Sequence, residues 1–198
     1  MQRHVSDPYV KRARALGYRS RAAFKLLEID AKDRVFARGA RVVDLGAAPG
    51  GWSQVAAEKV GPRGRVVAVD LLPMAPIEGV TFIRGDLTDP TVRRDVEDAL
   101  GGAKVDLVLS DMAPNLSGVA AVDQAQSSGL SALAIEFALG HLAPGGGLLL
   151  KAFHGTEFPA LLARLRACFE RVVVHKPGAS RRGSAETYLL GRAPRVTP

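Results

Sequence analysis

Cysteine is nearly absent from this sequence, since Cys168 is the only one among 198 residues. A single cysteine excludes an internal disulfide framework and a cysteine-rich zinc site. We expect Cys168, which lies in the apolar segment 158–169, to be a core thiol rather than a nucleophile. The four histidines show no spacing typical of metal ligands, so no metal site is predicted.

Long hydrophobic runs are missing as well. No apolar stretch reaches the ~18–20 residues that a membrane-spanning helix needs. The first 25 residues are basic and polar, without the apolar region of a secretory signal. We therefore expect a cytoplasmic protein with no membrane partner. The length suits one domain over residues 1–198, including the basic N-terminal segment 1–25, and we expect a monomer.

Positive charge is in excess and is unevenly distributed. The formal net charge is +7, with +6 in residues 1–25 and +5 in residues 171–198, which leaves −4 for the rest. Two basic ends on a mildly acidic body favour attraction to the phosphates of a nucleic acid. Solvated basic tails that only aid solubility are the alternative at this point.

Short β-rich runs alternate with helical patterns along the chain. Strands are predicted over 41–46, 65–70, 80–84, 105–110, 148–153, 171–175 and 185–191. Helices are predicted over 20–29 (with Ser20 as N-cap), 51–59, 91–100, 123–142 and 157–168. This alternation predicts an α/β fold, with a mostly parallel sheet and helices on both faces. The last two strands are expected to form an antiparallel pair at one edge.

The loop after the first predicted strand, DLGAAPGGWS over 44–53, is the first candidate site. Ligands of such sheets bind outside the carboxyl ends of the strands. A phosphate-binding P-loop is excluded because Gly-Lys-Ser/Thr is absent, and the dinucleotide pattern fails because Ala48 stands two residues after Gly46. Asp44 suits a ligand with a positive group, and S-adenosylmethionine carries a sulfonium and an ammonium group but no phosphate.

Three further residues extend this candidate cofactor site. Asp70 ends the second strand and could accept the ribose hydroxyls of an adenosine, although the same arrangement serves enzymes that use NAD. Asp86 follows the third strand and could accept from an adenine amino group. Trp52 could pack beside the loop or line the pocket. Strand-end aspartates that merely cap turns are the competing interpretation, and their recurrence beside a glycine loop argues against it.

Lys151 is the candidate catalytic residue. It ends an otherwise apolar strand, where an unpaired charge is costly. Methyl transfer to a sugar hydroxyl needs in-line positioning and a proton acceptor, and a lysine serves where burial or a second cation lowers its pKa. Asp111 ends the neighbouring strand and could orient Lys151. Lys25 and Glu186 could join them, but singly each is more often a surface ion-pair residue.

Together these motifs resemble the FtsJ/RrmJ type of ribose 2′-O-methyltransferase over nearly the full length. The matching segments are SRAAFKLLEI (20–29), VDLGAAPGGWSQ (43–54), DLLPM (70–74), SDMAPNLSG (110–118), LAPGG (142–146), KAFHG (151–155) and SAETY (184–188). The resemblance implies a Rossmann-like fold, S-adenosylmethionine as cofactor and, in the bacterial branch, a uridine of large-subunit ribosomal RNA as substrate.

The resemblance also implies roles for single residues. The catalytic tetrad of the family matches Lys25, Asp111, Lys151 and Glu186. The residues that match its cofactor-binding positions are Gly50, Trp52, Asp70, Asp86 and Asp111, beside Asp44 and Gly46 from the loop itself. Methylation of tRNA or of an mRNA cap remains an alternative. So do a noncatalytic ribosome-assembly factor, against which the intact tetrad argues, and a nicotinamide-dependent oxidoreductase.

The predicted RNA contacts are basic residues near the two ends of the sequence. They are Lys11, Arg12, Arg14, Arg19 and Arg21 in the N-terminal segment, with Arg181 and Arg182 between the last two strands. Tyr9 and Tyr18 could stack on bases. Because aromatic residues are few here, we expect recognition of ribosomal RNA to depend mainly on charge and shape.

Overall fold

The computed structural model describes residues 7–114, 117–181 and 183–195. The helices are α1 (Pro8–Ala15), α2 (Ala22–Asp33), α3 (Gly51–Val60), α4 (Pro90–Leu100), α5 (Ala120–His141) and α6 (Phe158–Cys168). The strands are β1 (Arg41–Leu45), β2 (Arg65–Asp70), β3 (Val80–Arg84), β4 (Val105–Ser110), β5 (Leu142–Phe153), β6 (Phe169–His175) and β7 (Glu186–Pro194).

These seven strands form one sheet in the order β3-β2-β1-β4-β5-β7-β6. Strands β1 to β5 run parallel, whereas β7 is antiparallel to both β5 and β6. The chain proceeds from β1 toward one edge and then returns to place β4 on the other side of β1. This confirms the predicted Rossmann-like fold, including the antiparallel pair at one edge, and it places a topological switch point between β1 and β4.

Alternate residues of the central strands pack against helices on opposite faces of the sheet. Val42, Val66 and Leu107 pack in a cluster with α2 and α3, whose contributions include Leu26 and Val55. Their immediate neighbours Val43, Val67 and Val108 pack with α4, α5 and α6 on the other face. Because side chains alternate along a strand, burial of both faces requires continuous apolar runs, which these strands have.

Residues 143–147, which lie between the predicted helix over 123–142 and the predicted strand over 148–153, belong to a strand in the structure. Strand β5 begins at Leu142 rather than at Leu148, so Pro144 and the three following glycines lie within it. Leu142 pairs with Val105, and Gly147 pairs with Leu107 after a register shift. The segment is therefore an irregularity in the strand, which glycine tolerates, rather than a break between two elements.

The N-terminal segment holds a helix, α1, that the sequence pattern did not predict. The Asp7 carboxylate accepts from the Tyr9 N–H at 2.9 Å and caps it, with Pro8 in the first turn. Helix α2 begins at Ala22, and its predicted N-cap, Ser20, makes no side-chain cap. Instead, the Ser20 main-chain oxygen accepts from the Ala23 N–H at 3.3 Å.

Two smaller features bear on the predictions. Cys168 ends α6 half-buried and packs against the core cluster on the α4–α6 face. Within the described part of the chain, no helix is both long and apolar enough to cross a membrane.

Candidate active site

Two glycines shape the loop between β1 and α3. Gly46 and Gly50 have φ angles of +74° and +108°, which L-residues with side chains rarely adopt. A Cβ at Gly46 would lie 2.6 Å from Met112 Cγ and 3.0 Å from the Met112 backbone. A Cβ at Gly50 would lie 2.6 Å from Ile77 and 2.8 Å from Met74. The loop therefore needs glycine at both positions, because other side chains of the protein fill the space that a Cβ would take.

Asp70 and Asp86 lie at the carboxyl ends of β2 and β3, beside this loop. Asp70 accepts from the N–H groups of Ala48 and Leu72, each at 2.8 Å, so it fixes the loop as well as facing the cleft. One oxygen of the exposed Asp86 accepts from the backbone N–H and the hydroxyl of Thr88, which lowers the pKa of its carboxyl. Both carboxylates retain acceptor capacity toward a ligand.

Asp44 is fully buried at the end of β1. The Ser53 hydroxyl donates to its Oδ2 at 2.6 Å, while Oδ1 has no hydrogen-bond partner among the described residues. Burial raises the pKa of Asp44 to about 7, and the nearby charges of Asp111 and Asp70 add to the rise although the Ser53 hydrogen bond opposes it. An orphaned carboxylate beneath the glycine loop fits a site that takes a positively charged ligand.

The Trp52 side chain belongs to the core rather than to the cleft. It is 2% exposed, and its Nε1 donates to the Ala22 carbonyl at 2.9 Å. Its ring packs against Tyr188 with centroids 5.6 Å apart. Of the two roles predicted for this side chain, the structure shows packing, so what Trp52 could offer a cofactor is its backbone in the first turn of α3.

The charge at this edge of the sheet fits S-adenosylmethionine. Acidic side chains lie at or just after the ends of four adjacent strands. These side chains are Asp86 after β3, Asp70 in β2, Asp44 in β1 and Asp111 after β4. A ligand with ribose hydroxyls, an ammonium and a sulfonium group suits them, whereas a pyrophosphate would meet several like charges.

Lys151 and Asp111 form a partly buried ion pair on the far side of the switch point. Lys151 Nζ lies 3.0 Å from Asp111 Oδ1 and donates to the Asp111 main-chain oxygen at 2.6 Å. The lysine side chain is 8% exposed, so its position is determined by these contacts rather than by solvent. Adjacent parallel strands β4 and β5 bring the two residues together, as the sequence predicts.

Lys25 and Glu186 form a second ion pair beside the first. Lys25 Nζ lies 2.7 Å from Glu186 Oε1 and 2.8 Å from Oε2, and both side chains are nearly buried. Burial alone would raise the pKa of Glu186, but the hydrogen bond and charge of Lys25, with further hydrogen bonds from Ser180 and Tyr188, lower it overall. Glu186 therefore remains a carboxylate and holds Lys25 over the amino end of β7, which lies beside the carboxyl end of β5.

Tyr188 joins the two ion pairs. No role was predicted for this residue from the sequence. Its hydroxyl accepts from Lys25 Nζ and donates to Asp111 Oδ1, each at 3.2 Å. Burial, together with the charges of Asp111 and Glu186, raises its pKa, so the hydroxyl keeps its proton. Tyr188 pairs directly with Lys151 across β5 and β7. Its position two residues after Glu186, on the same face of β7, is the signal that could have indicated it.

Known proteins resemble this chain in sequence and in fold. The family model of the FtsJ-like methyltransferases matches residues 18–193. The chain belongs to the FtsJ-like methyltransferase family. The match includes the glycine loop and all four residues of the two ion pairs, and it confirms the family resemblance of the sequence motifs.

Individual relatives of this FtsJ-like methyltransferase are similar over almost their whole length. "Ribosomal RNA large subunit methyltransferase E" of Azoarcus sp. (strain BH72) is 56% identical over 96% of this chain and 93% of that protein. The protein of the same name from Halorhodospira halophila is 57% identical over 98% and 92%. A solved structure from Plasmodium falciparum, named as a ribosomal RNA methyltransferase, has a TM-score of 0.79 and 29% identity, covering 89% of this chain and 98% of that one.

The basic N-terminal segment of this FtsJ-like methyltransferase divides into two groups. Lys11, Arg12 and Arg14 are exposed on α1, which Ala13 anchors to the body. Arg19 instead donates to the carbonyls of Ala75 and Pro76, at 2.6 and 2.7 Å, and to the Pro49 carbonyl at 3.3 Å. It therefore ties the cofactor loop to the segment after β2. The first group is available for phosphate contacts, whereas the guanidinium of Arg19 is engaged within the protein.

Arg21 is also held inside the protein, near the catalytic end. It pairs with Asp7 and donates to the Ala179 carbonyl, and burial followed by the charge of Arg181 lowers its pKa. Arg181 is exposed close by, and Arg182 lies outside the described residues. A positively charged face therefore continues from α1 to the edge of the catalytic cluster.

Tyr9 and Tyr18 do not present free rings for base stacking. Their ring centroids lie 5.7 and 5.9 Å from that of Phe24, and the Tyr18 hydroxyl donates to Glu58 at 2.9 Å. Both rings instead attach α1 and the following turn to α2. Among the described residues, no group of three histidine, cysteine or acidic side chains could hold a metal ion.

Proposed function

We propose that this protein transfers a methyl group from S-adenosylmethionine to the 2′-hydroxyl of a uridine ribose in large-subunit ribosomal RNA. The proposal rests on two ion pairs beside the glycine loop, Lys151–Asp111 and Lys25–Glu186. The Tyr188 hydroxyl links them. The names of its relatives support ribosomal RNA as the substrate.

The cofactor supplies an activated methyl group on a sulfonium when it is bound. The loop at Gly46 and Gly50 lets it approach the backbone, and Asp70 and Asp86 are the candidates for holding its ribose and adenine. Asp111 lies between this half of the site and Lys151, so one carboxylate faces both. These residues hold the methyl donor. The ribose hydroxyl that accepts the methyl group is activated by other residues.

Lys151 is the residue that acts on the acceptor hydroxyl. A ribose hydroxyl is a weak nucleophile, and the attack must be in line with the methyl group. Lys151 Nζ is held by two oxygens of Asp111. We propose that it positions the hydroxyl and that, after losing one proton to solvent, its neutral amine accepts the proton of the hydroxyl as the methyl group is transferred. Lys25, held by Glu186 and Tyr188, adds a second positive charge near the developing negative oxygen.

The acceptor RNA approaches, in this proposal, along the basic face that begins at α1. Lys11, Arg12 and Arg14 contact phosphates, and Arg181 extends the same face. Arg182, which lies outside the described residues, is proposed as a further RNA contact from its place in the sequence alone. Arg19 and Arg21 belong to the support of the site rather than to the RNA contacts, because their guanidinium groups are bound within the protein. We further propose that the protein acts as a cytoplasmic monomer.

The test is methyl transfer from tritiated S-adenosylmethionine to purified ribosomal subunits from a strain that lacks the enzyme. Small subunits and tRNA serve as parallel acceptors. We expect label in large-subunit RNA, recovered after alkaline hydrolysis as a resistant dinucleotide because a 2′-O-methyl group blocks cleavage. Label in tRNA would overturn the substrate, and label in alkali-sensitive nucleotides would overturn the ribose as target.

A further inference from the structure

A cavity of about 250 Å³ lies beside the carboxyl end of β5, apart from the cofactor loop. Its walls come from the first half of α5, the end of β5 and the start of α6. Phe153, His154 and Phe158 contribute aromatic rings to its lining, and Gln124, Ser127 and Ser128 of α5 contribute polar side chains. Neither the glycine loop nor the two ion pairs account for this space.

The cavity begins next to the catalytic lysine. Lys151 and Phe153 are two residues apart on β5 and therefore point to the same face of the sheet. Lys151 Nζ lies 5.9 Å from the centroid of the Phe153 ring, which is itself part of the cavity wall. A group bound in the cavity is consequently adjacent to whatever hydroxyl Lys151 engages.

The lining favours a planar, uncharged and hydrogen-bonding group. The centroids of the His154 and Phe158 rings lie 4.3 Å apart and offer an aromatic surface, while the serine hydroxyls offer donors and acceptors. The Gln124 amide is engaged by the Thr156 hydroxyl at 3.2 Å and adds a polar surface. Asp123 and Glu157 also line the cavity, and its lining residues include no lysine or arginine, which disfavours a phosphate. The volume is below the ~300–1,000 Å³ of sites for drug-sized ligands, so it suits a single ring system.

We propose that this cavity receives the base of the nucleotide whose ribose is methylated. The proposal rests on the function proposed above. In a nucleotide the base is attached to C1′, the carbon next to the C2′ that carries the reacting hydroxyl. An RNA base turned out of its stack is commonly held by aromatic side chains and by hydrogen bonds to its edge. The base in the cavity thus fixes the ribose beside Lys151.

The experiment fills the cavity with a side chain and removes the base from the substrate. Ser128→Phe places a ring in the cavity, and Gln126→Phe places the same ring on an exposed part of α5 as a matched control. His154→Ala removes one wall from an exposed position and is the second variant should Ser128→Phe fold poorly. The substrates are large subunits reconstituted with ligated RNA, either intact, abasic at the methylated nucleotide or abasic at its 3′ neighbour.

We expect Ser128→Phe to bind S-adenosylmethionine like the wild type but to lose at least tenfold in kcat/KM on the intact substrate, with Gln126→Phe within twofold. His154→Ala should lose roughly 5- to 100-fold, as for the loss of one stacking contact. On the substrate that lacks the target base, the wild type should react as slowly as Ser128→Phe does on the intact substrate. Ser128→Phe itself should react at the same rate on both substrates.

Three results would overturn the inference. The first is that Ser128→Phe and His154→Ala both react at the wild-type rate on the intact substrate. The second is that loss of the target base slows the wild type and Ser128→Phe by the same factor. The third is that loss of the neighbouring base slows the wild type more than loss of the target base does. Activity of the wild type on intact subunits separates these results from failure of the proposed function. A wild type that methylates no RNA overturns the proposed function, and this inference with it.

Discussion

The two halves of the site are built from very different lengths of chain. The cofactor half comes from β1, β2, β3 and the loops that follow them, all within residues 41–86. The acceptor half joins Lys25 on α2, Asp111 after β4, Lys151 on β5 and Glu186 on β7. The first half is therefore a local structure whose residues also support one another, whereas the second depends on the whole sheet being assembled.

Because of this difference, we expect the two functions to be separable. Residues near Asp70 should act on cofactor affinity, and residues near Lys151 should act on the transfer step. Asp111 is the expected exception, because it lies between the two halves.

Lys151→Ala should reduce the single-turnover rate of methyl transfer by about 10²–10⁴-fold, the usual contribution of a positioned base. The cofactor dissociation constant should stay within threefold of the wild type. Lys104→Ala, an exposed lysine just before β4, is the matched control and should keep the wild-type rate. An equal loss in both variants would contradict the role of Lys151.

Asp70→Asn should weaken cofactor binding by about 10–100-fold, because it removes a charged acceptor from the loop and from the ligand. Isothermal titration with S-adenosylmethionine measures this change. Asp89→Asn alters a similar strand-following carboxylate, which accepts from the Thr91 N–H outside the cleft. Unchanged affinity in Asp70→Asn, or an equal loss in Asp89→Asn, would contradict the assignment.

The double charge reversal Arg12→Glu and Arg14→Glu should lower RNA affinity about tenfold and make its salt dependence shallower by about 1 to 2 in logarithmic slope. Cofactor binding should not change. Arg63→Glu combined with Arg94→Glu, two exposed substitutions, changes the net charge by the same amount and is the matched control. Loss of cofactor binding in the double variant would show that α1 supports the site structurally instead.

Tyr188→Phe should lower kcat about 3- to 10-fold with little change in KM, because it removes the hydroxyl between Lys25 and Asp111 but keeps the ring in the core. Tyr18→Phe removes a hydroxyl that donates to Glu58 on the surface and should leave kcat unchanged. A KM effect without a kcat effect would contradict the positioning role of Tyr188.

Asp44 should affect pH-dependent stability. Its pKa is about 7 in the fold against 3.8 for an ordinary aspartate, so the folded state binds the proton more tightly. The free energy of unfolding should therefore fall between about pH 4 and pH 7 in the wild type relative to Asp44→Asn, by about 2–4 kcal/mol. Urea unfolding across this range measures the difference. Ser53→Ala keeps the carboxyl and should keep the decline, and parallel curves for wild type and Asp44→Asn would contradict the account.

The same contrast explains what the sequence could predict. The strands, the glycine loop and the strand-end aspartates were predictable because burial and φ constraints act locally, over a few residues. Lys25 and Glu186 could not be placed from spacing alone, since α2 and β7 are 161 residues apart at this contact. The family resemblance supplied them, and the structure shows the physical link.

The differences between the expectations and the structure have local physical reasons. Residues 143–147 were left between a predicted helix and a predicted strand, but the register shift against β4 absorbs them into β5. Arg19, Tyr9 and Tyr18 were predicted as RNA contacts because they are basic or aromatic near a basic end. Their neighbours in the fold, the loop carbonyls and Phe24, engage them instead. Tyr188 was overlooked because its role depends on the pairing of β7 with β5.

The most direct test of separable halves is the single-turnover rate as a function of S-adenosylmethionine concentration for wild type, Asp70→Asn and Lys151→Ala on the same large subunits. We predict that saturating cofactor restores Asp70→Asn to within a few-fold of the wild-type rate and restores nothing in Lys151→Ala. A rate for Asp70→Asn that stays low at saturation, or a rate for Lys151→Ala that rises to the wild-type level, would contradict the division of the site.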